Sequence, residues 1–144
     1  MILVGDSLGM ITLRYKNTLS VTMDDMIPHA SAIVCAVKYA FVIGDMPFMS
    51  YQPSDRDTVM NASRFISEAG CVAVKCEGGK RITSRVKAMV NSDILVQGHL
   101  GLTPQNLAKI GGYKVQGRTW SQKREKITDK RVFVPTACCE EYYL

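Results

Sequence analysis

The sequence predicts an α/β fold in which parallel strands alternate with helices and both faces of the sheet are covered. Three observations predict it. Short apolar runs recur without polar alternation, the pattern of strands buried on both faces. Between them, apolar residues fall at helical spacing. Three of the runs also end in an acid, at Asp6, Asp45 and Glu77, with intervals of 39 and 32 residues. Such an interval is about one βαβ unit.

The first strand is Ile2-Leu3-Val4. Residues 11–15 and 17–21 read as a small β excursion. Thr22, with Asp25 three residues on, is an N-cap pattern. It opens a helix whose stripe is Met26, Ile27, Ala30, Ile33, Val34 and Val37. Pro28 falls in its second turn, where it should kink the helix or shift its start. Residues 39–43 form the second strand. Ser54 and Asp57 repeat the capping pattern ahead of Val59, Ala62, Ile66 and Ala69, and Gly70 closes that helix. Residues 72–76 form the third strand, and a helix follows through Ile82, Val86, Met89 and Val90. Residues 94–96 form the fourth strand, ending at Gly98-His99. Thr103 and Pro104 suit the N-cap and first position of a short helix ending at Gly111-Gly112.

Four β/α units fit an open doubly wound sheet or half of a (β/α)8 barrel, since a whole barrel runs to about 250 residues. From Thr119 the pattern breaks. Residues 120–131 are highly charged, and residues 132–135 are the only strand-like run left. The expected organisation is a catalytic unit over residues 1–118 and a basic, poorly ordered or non-native tail over 119–144.

The 144 residues are 47% apolar and 22% charged, a globular composition of one-domain size. No apolar run is long enough for a membrane helix, so no membrane partner is expected. The net charge of +5 is concentrated late: residues 1–108 carry 10 basic and 9 acidic side chains, residues 109–144 carry 8 and 4. A solvated face or frayed tail accounts for this. The basic segment lacks the interleaved aromatics of a single-strand binder, so no nucleic-acid partner is expected. The five cysteines show no CxxC and no zinc spacing. Without a secretory leader they read as reduced thiols, with Cys35 and Cys71 as small buried residues. The expected location is cytoplasmic, or mitochondrial if a presequence precedes residue 1.

Parallel strands bring their carboxyl ends to one rim, so the three acids meet there. Asp6 and Asp45 with Glu77 form a plausible Mg²⁺ site that leaves positions open for exchange. The ion would chelate a 2-oxo acid and stabilise its enolate. Ser7 adds a hydroxyl beside Asp6. Lys75 projects to the same side of its strand as Glu77 and would meet an anionic substrate. His99, at the fourth strand end, would bind a substrate oxygen or shuttle a proton. His29, inside a helix, reads as structural or exposed. Each stretch alone passes for an ordinary turn; their shared position carries the argument.

Several runs resemble the ketopantoate hydroxymethyltransferase family, in order and in register across residues 1–119. They are Leu3-Val4-Gly5-Asp6-Ser7-Leu8-Gly9-Met10, Asp45-Met46-Pro47-Phe48-Met49-Ser50-Tyr51, Lys75-Cys76-Glu77-Gly78-Gly79, Gly98-His99-Leu100-Gly101-Leu102-Thr103-Pro104-Gln105 and Gly111-Gly112-Tyr113-Lys114-Val115-Gln116-Gly117-Arg118. The resemblance implies a (β/α)8 barrel, present here as about four units. It implies one-carbon transfer from 5,10-methylenetetrahydrofolate to 3-methyl-2-oxobutanoate, forming 2-dehydropantoate for pantothenate synthesis. It assigns Mg²⁺ to Asp6, Asp45 and Glu77, and the oxo acid to Ser7, Asp45 and Lys75, with Asp6 and His99 beside it. It also implies a homo-oligomer.

Two family features have no match in this chain: a strand before the Leu-Val-Gly-Asp-Ser motif, and a later Leu-Glu-Cys-Val-Pro-like strand that carries the general base. Glu140 and Glu141 lie in no matching motif, so no base is assigned. The expectation is a truncated or frameshifted product, weakly active or inactive alone. Two alternatives differ in kind: another Mg-dependent 2-oxo acid lyase on a related barrel, and a non-catalytic binding remnant.

Overall fold

The computed structural model describes residues 1–100, Gln105 and the backbone of residues 138–141. In chain order the elements are β1 (Ile2–Val4), α1 (Leu8–Ile11), a 3-10 turn (Thr18–Ser20), α2 (Met23–Ala36), β2 (Val42–Asp45), α3 (Asp55–Ser67), β3 (Ala73–Glu77), a second 3-10 turn (Gly79–Ile82), α4 (Thr83–Val90), β4 (Leu95–Leu100) and β5 (Cys138–Glu141). All strand pairs are parallel, in the order β1-β2-β3-β4-β5. This is the α/β architecture expected, and it is consistent with part of a barrel. β5 lies beside β4 with Gln97 opposite Cys138 and Leu100 opposite Glu141. The expected helix after Thr103, the strand at 132–135 and the rest of the tail lie outside the described residues.

Register separates the two faces of the sheet. Val4, Gly44, Val74 and Val96 form one cross-strand row. Val4, Val74 and Val96 share a core with Met26 and Ala30 of α2, Ala62 and Phe65 of α3, and Val86 and Met89 of α4. Gly44 is obligatory in this row: a Cβ there would stand 2.2 Å from the Phe65 ring. The opposite face carries Ile43 and Ala73, then Asp45, Lys75 and Glu77 further along. Every residue of β2 and β3 is buried, as their unbroken apolar runs require.

The caps form as their sequence suggests. Thr22 and Asp25 make a reciprocal capping box at the start of α2. Ser54 accepts the Asp57 N–H at the start of α3. Gly70, at φ +76°, turns the chain out of α3 toward β3. The α2 helix starts at Met23 and runs through Pro28, so the expected shift of its start does not occur.

Three expectations are corrected. Residues 11–21 form no β excursion: the N–H groups of Thr12, Leu13 and Tyr15 bond back to Leu8 and Gly9 carbonyls, and Asn17 caps the first 3-10 turn. Cys35 is exposed, because α2 buries the face of Met23, Met26, Ile27 and Ala30, and residue 35 lies off that stripe. On α3 the fully buried positions are Thr58, Ala62 and Phe65, while Val59 and Ile66 flank them. Among the described residues no helix is long and apolar enough to cross a membrane.

Candidate active site

Register assembles the site. Asp45 lies opposite Lys75, Lys75 opposite Gln97, and Glu77 opposite His99. Residues two apart on a strand share a face, so these side chains all project away from the helical core. Asp6 lies two residues past the end of β1, and its backbone N–H donates to Asp45 Oδ2 at 3.4 Å. Asp6, Asp45, Lys75 and Glu77 are each no more than 8% exposed. The acid recurrence in the sequence is therefore a real convergence on one end of the sheet.

Lys75 Nζ donates to Asp45 Oδ1 at 2.7 Å. The bond goes across to β2, where Asp45 faces Lys75 in register. Burial opposes the ammonium, but the charge of Asp45 and the bond to it raise the Lys75 pKa overall. Lys75 stays cationic. Burial also pushes the Asp45 carboxyl up, against the pull of Lys75. Asp6 has no such cation at contact distance. Burial first, then the charge of Asp45, raise its pKa from 3.8 to about 6.

Glu77 is held differently. Its Oε1 accepts the Gln105 N–H at 2.9 Å, and His99 Nδ1 lies 3.3 Å from Oε2. Gln105 is the largest site contributor that sequence reasoning passed over. Its Nε2 lies 3.1 Å from Asp6 Oδ2 and 3.0 Å from the Met46 carbonyl. Tyr51 is a second such contributor. It is fully buried, and its hydroxyl accepts the Glu77 N–H at 3.1 Å while lying 2.9 Å from Gln105 Oε1. Both residues lie inside the quoted motifs, but nothing in a single sequence separates a polar contact across 54 positions from a loop residue.

Ser7 is exposed and makes no side-chain cap bond to α1. A Cβ built on Gly5 would lie 3.1 Å from Ser7 Oγ and 3.8 Å from Asp45 Oδ2, so the hydroxyl and carboxylate sit over the same glycine. His29 is local, its Nδ1 2.8 Å from the Asp25 carbonyl.

The charge of Glu77 acts on both Asp6 and Asp45, so the three acids expected to hold a metal share one end of the sheet. Among the described residues no three His, Cys, Asp or Glu side chains group as a metal site. The two oxygens of Glu77 are directed to Gln105 and His99, whereas Asp6 and Asp45 face each other. Two adjacent buried carboxylates, of which Asp45 disfavours the charge of Asp6, fit Mg²⁺, which takes one or two carboxylates and keeps several waters.

A parallel α/β sheet with buried carboxylates and a lysine at the carboxyl ends of its strands has the layout of an α/β enzyme, consistent with part of a barrel. The comparisons narrow this. Residues 1–140 match the family described as ketopantoate hydroxymethyltransferase, and the chain belongs to that family, a family of enzymes. It is similar to the 3-methyl-2-oxobutanoate hydroxymethyltransferase of Clostridium botulinum (strain 657 / Type Ba4), with 55% identity over 131 residues, 91% of this chain and 48% of that protein. The protein of the same name from Syntrophomonas wolfei is 54% identical over 131 residues, again 91% and 48%. That from Thermoanaerobacter sp. (strain X514) is 52% identical over 139 residues, 96% of this chain and 51% of that protein. The chain thus spans about half the length of these relatives. The family match also extends past Thr119, where the quoted motifs end.

Proposed function

We propose that this chain carries the oxo-acid half of a ketopantoate hydroxymethyltransferase site. The reaction is hydroxymethyl transfer from 5,10-methylenetetrahydrofolate to 3-methyl-2-oxobutanoate, giving 2-dehydropantoate. One observation carries the reading: Asp6, Asp45 and Lys75 meet, buried, at the ends of adjacent strands β1, β2 and β3 of a family member.

Lys75 has three N–H donors and commits one to Asp45, which leaves donors for the substrate carboxylate. Ser7 offers its hydroxyl above Gly5, beside Asp45, to orient the same anion. Asp6 and Asp45 would hold Mg²⁺, which when bound supplies Lewis-acid stabilisation of the enolate. Glu77 supports them as the third acid of the set, and its contacts with His99 and the Gln105 backbone fix the rim around the substrate. Burial of the cluster excludes water and strengthens each of these charge interactions. No general base is assigned to the chain, so turnover by it alone should be weak or absent. The same reading implies a cytoplasmic enzyme that assembles as a homo-oligomer.

The test is binding and turnover by the purified 144-residue chain. Saturable, Mg²⁺-dependent binding of 3-methyl-2-oxobutanoate is expected by titration calorimetry, and loss of that binding in the Asp6→Asn/Asp45→Asn double variant. Absence of Mg²⁺-dependent binding would overturn the site assignment. Folate-dependent formation of 2-dehydropantoate at a normal enzymatic rate would overturn the expected inactivity.

A further inference from the structure

Gln105 is buried and touches the ends of three strands at once. Its backbone N–H donates to Glu77 Oε1 at 2.9 Å, at the end of β3. Its side-chain Nε2 donates to Asp6 Oδ2 at 3.1 Å, past β1, and to the Met46 carbonyl at 3.0 Å, past β2. Its Oε1 lies 3.1 Å from Gln52 Nε2 and 2.9 Å from the Tyr51 hydroxyl. Gln52 is itself oriented, because its Oε1 faces the Tyr51 N–H at 3.4 Å. These partners fix the Gln105 amide one way round. Turned over, its oxygen would stand against the Met46 carbonyl and the Asp6 carboxylate, and its NH2 against the NH2 of Gln52. Gln105 therefore presents an N–H, and not an oxygen, to Asp6.

The consequence lies in how many oxygens each acid can offer. Asp6 Oδ2 is held by Gln105 Nε2, Glu77 Oε1 by the Gln105 backbone and Asp45 Oδ1 by Lys75 Nζ. A carboxylate held in this way offers a cation its other oxygen and cannot clamp it with both. Ca²⁺ takes more oxygen ligands than Mg²⁺ and commonly draws both from one carboxylate, whereas Mg²⁺ demands octahedral geometry and keeps its waters. We propose that Gln105 is a positioning residue that sets the cation selectivity of the cluster: by holding Asp6 Oδ2 it keeps that carboxylate to single-oxygen ligation and favours Mg²⁺ over Ca²⁺. The proposal rests on the reading of Asp6 and Asp45 as metal ligands. Tyr51 and Gln52 belong to the same arrangement, because their contacts keep the amide oxygen turned away from Asp6.

The probes are magnesium chloride and calcium chloride, titrated separately into the chelator-treated full chain by calorimetry. The unsubstituted chain should bind Mg²⁺ more tightly than Ca²⁺. Gln105→Met keeps the side-chain length and the backbone N–H to Glu77 but removes the amide. The ratio of Mg²⁺ to Ca²⁺ affinity should fall about tenfold, the scale of one hydrogen bond to a charged group. Loss of packing alone would weaken both cations together and leave the ratio unchanged. Tyr51→Phe, which frees one side of the amide oxygen, should lower the ratio by less. If Gln105→Met does not fold, Gln105→Asn decides: its amide is one methylene shorter, falls short of Asp6 and should give the same fall. An unchanged ratio in a folded Gln105 variant overturns the positioning role. If Mg²⁺-dependent binding of 3-methyl-2-oxobutanoate is intact in that case, the hydroxymethyl-transfer reading survives. If the ratio falls while the oxo acid fails to bind, the positioning role stands and that reading falls. No Mg²⁺ binding by the unsubstituted chain overturns both.

Discussion

Asp6 pairs its acceptor Oδ2 with Gln105, yet it sits buried beside a second carboxylate. Its pKa in the folded chain, about 6, lies above the unfolded value of 3.8. The associated stability is therefore fully present below about pH 3.8 and is lost as pH rises through about 6. At neutral pH the ionised Asp6 destabilises the fold by up to about 3 kcal/mol. In chelator-treated protein at pH 7.5, Asp6→Asn should melt several degrees higher than the unsubstituted chain, and the gap should close near pH 4. A lower melting temperature at pH 7.5 would refute this account. Lys75 gives the opposite case. Lys75→Ala leaves Asp45 buried without its cation and should cost about 3–5 kcal/mol by urea denaturation. A loss below about 1 kcal/mol would mean that water replaces the ammonium.

Elements set the precision with which those residues meet. α3 lies against β2 because Gly44 lets the Phe65 ring reach the strand backbone. Gly44→Ala should therefore destabilise by about 1–3 kcal/mol through overpacking. Gly44→Ala/Phe65→Leu should recover part of that, and strict additivity of the two substitutions would argue against the contact. Because Gly44 immediately precedes Asp45, the same substitution should also weaken Mg²⁺-dependent ligand binding. The β2–α3 loop is braced in parallel: Thr58 Oγ1 lies 2.7 Å from the Tyr51 carbonyl, and Asn61 donates to the Ser50 carbonyl. This bracing places the Tyr51 hydroxyl under Glu77, an effect of loop fixation that strand and helix patterns do not encode.

At the scale of the molecule, the sheet formed by the described residues is open. β1 is the first strand in its order, and among the described residues its outer edge has no strand partner. The face carrying Leu3 and Leu95 leaves those side chains 37% and 57% exposed. An unprotected parallel edge beside exposed apolar residues favours association with another chain. The purified chain should therefore sediment as oligomers, or lose solubility as its concentration rises. A monodisperse monomer with one cooperative melting transition across a tenfold concentration range would contradict that expectation.

The sequence by itself determined the alternation of strands and helices, the capping of α2 and α3, and the delivery of Asp6, Asp45, Glu77 and His99 to the carboxyl ends of their strands. These follow from local rules: side-chain periodicity, cap chemistry and the common direction of parallel strands. It placed a β excursion at residues 11–21 because Ile, Leu, Thr and Val favour strands, whereas the backbone there is committed to turns. Only the tertiary structure decided which partner each charge takes. Cross-strand register joins Lys75 to Asp45, and Gln105 reaches back to Asp6 and Glu77. Spacing along one strand says which side chains share a face, but register between strands and loops decides which atoms touch. That register is fixed by packing of the whole sheet.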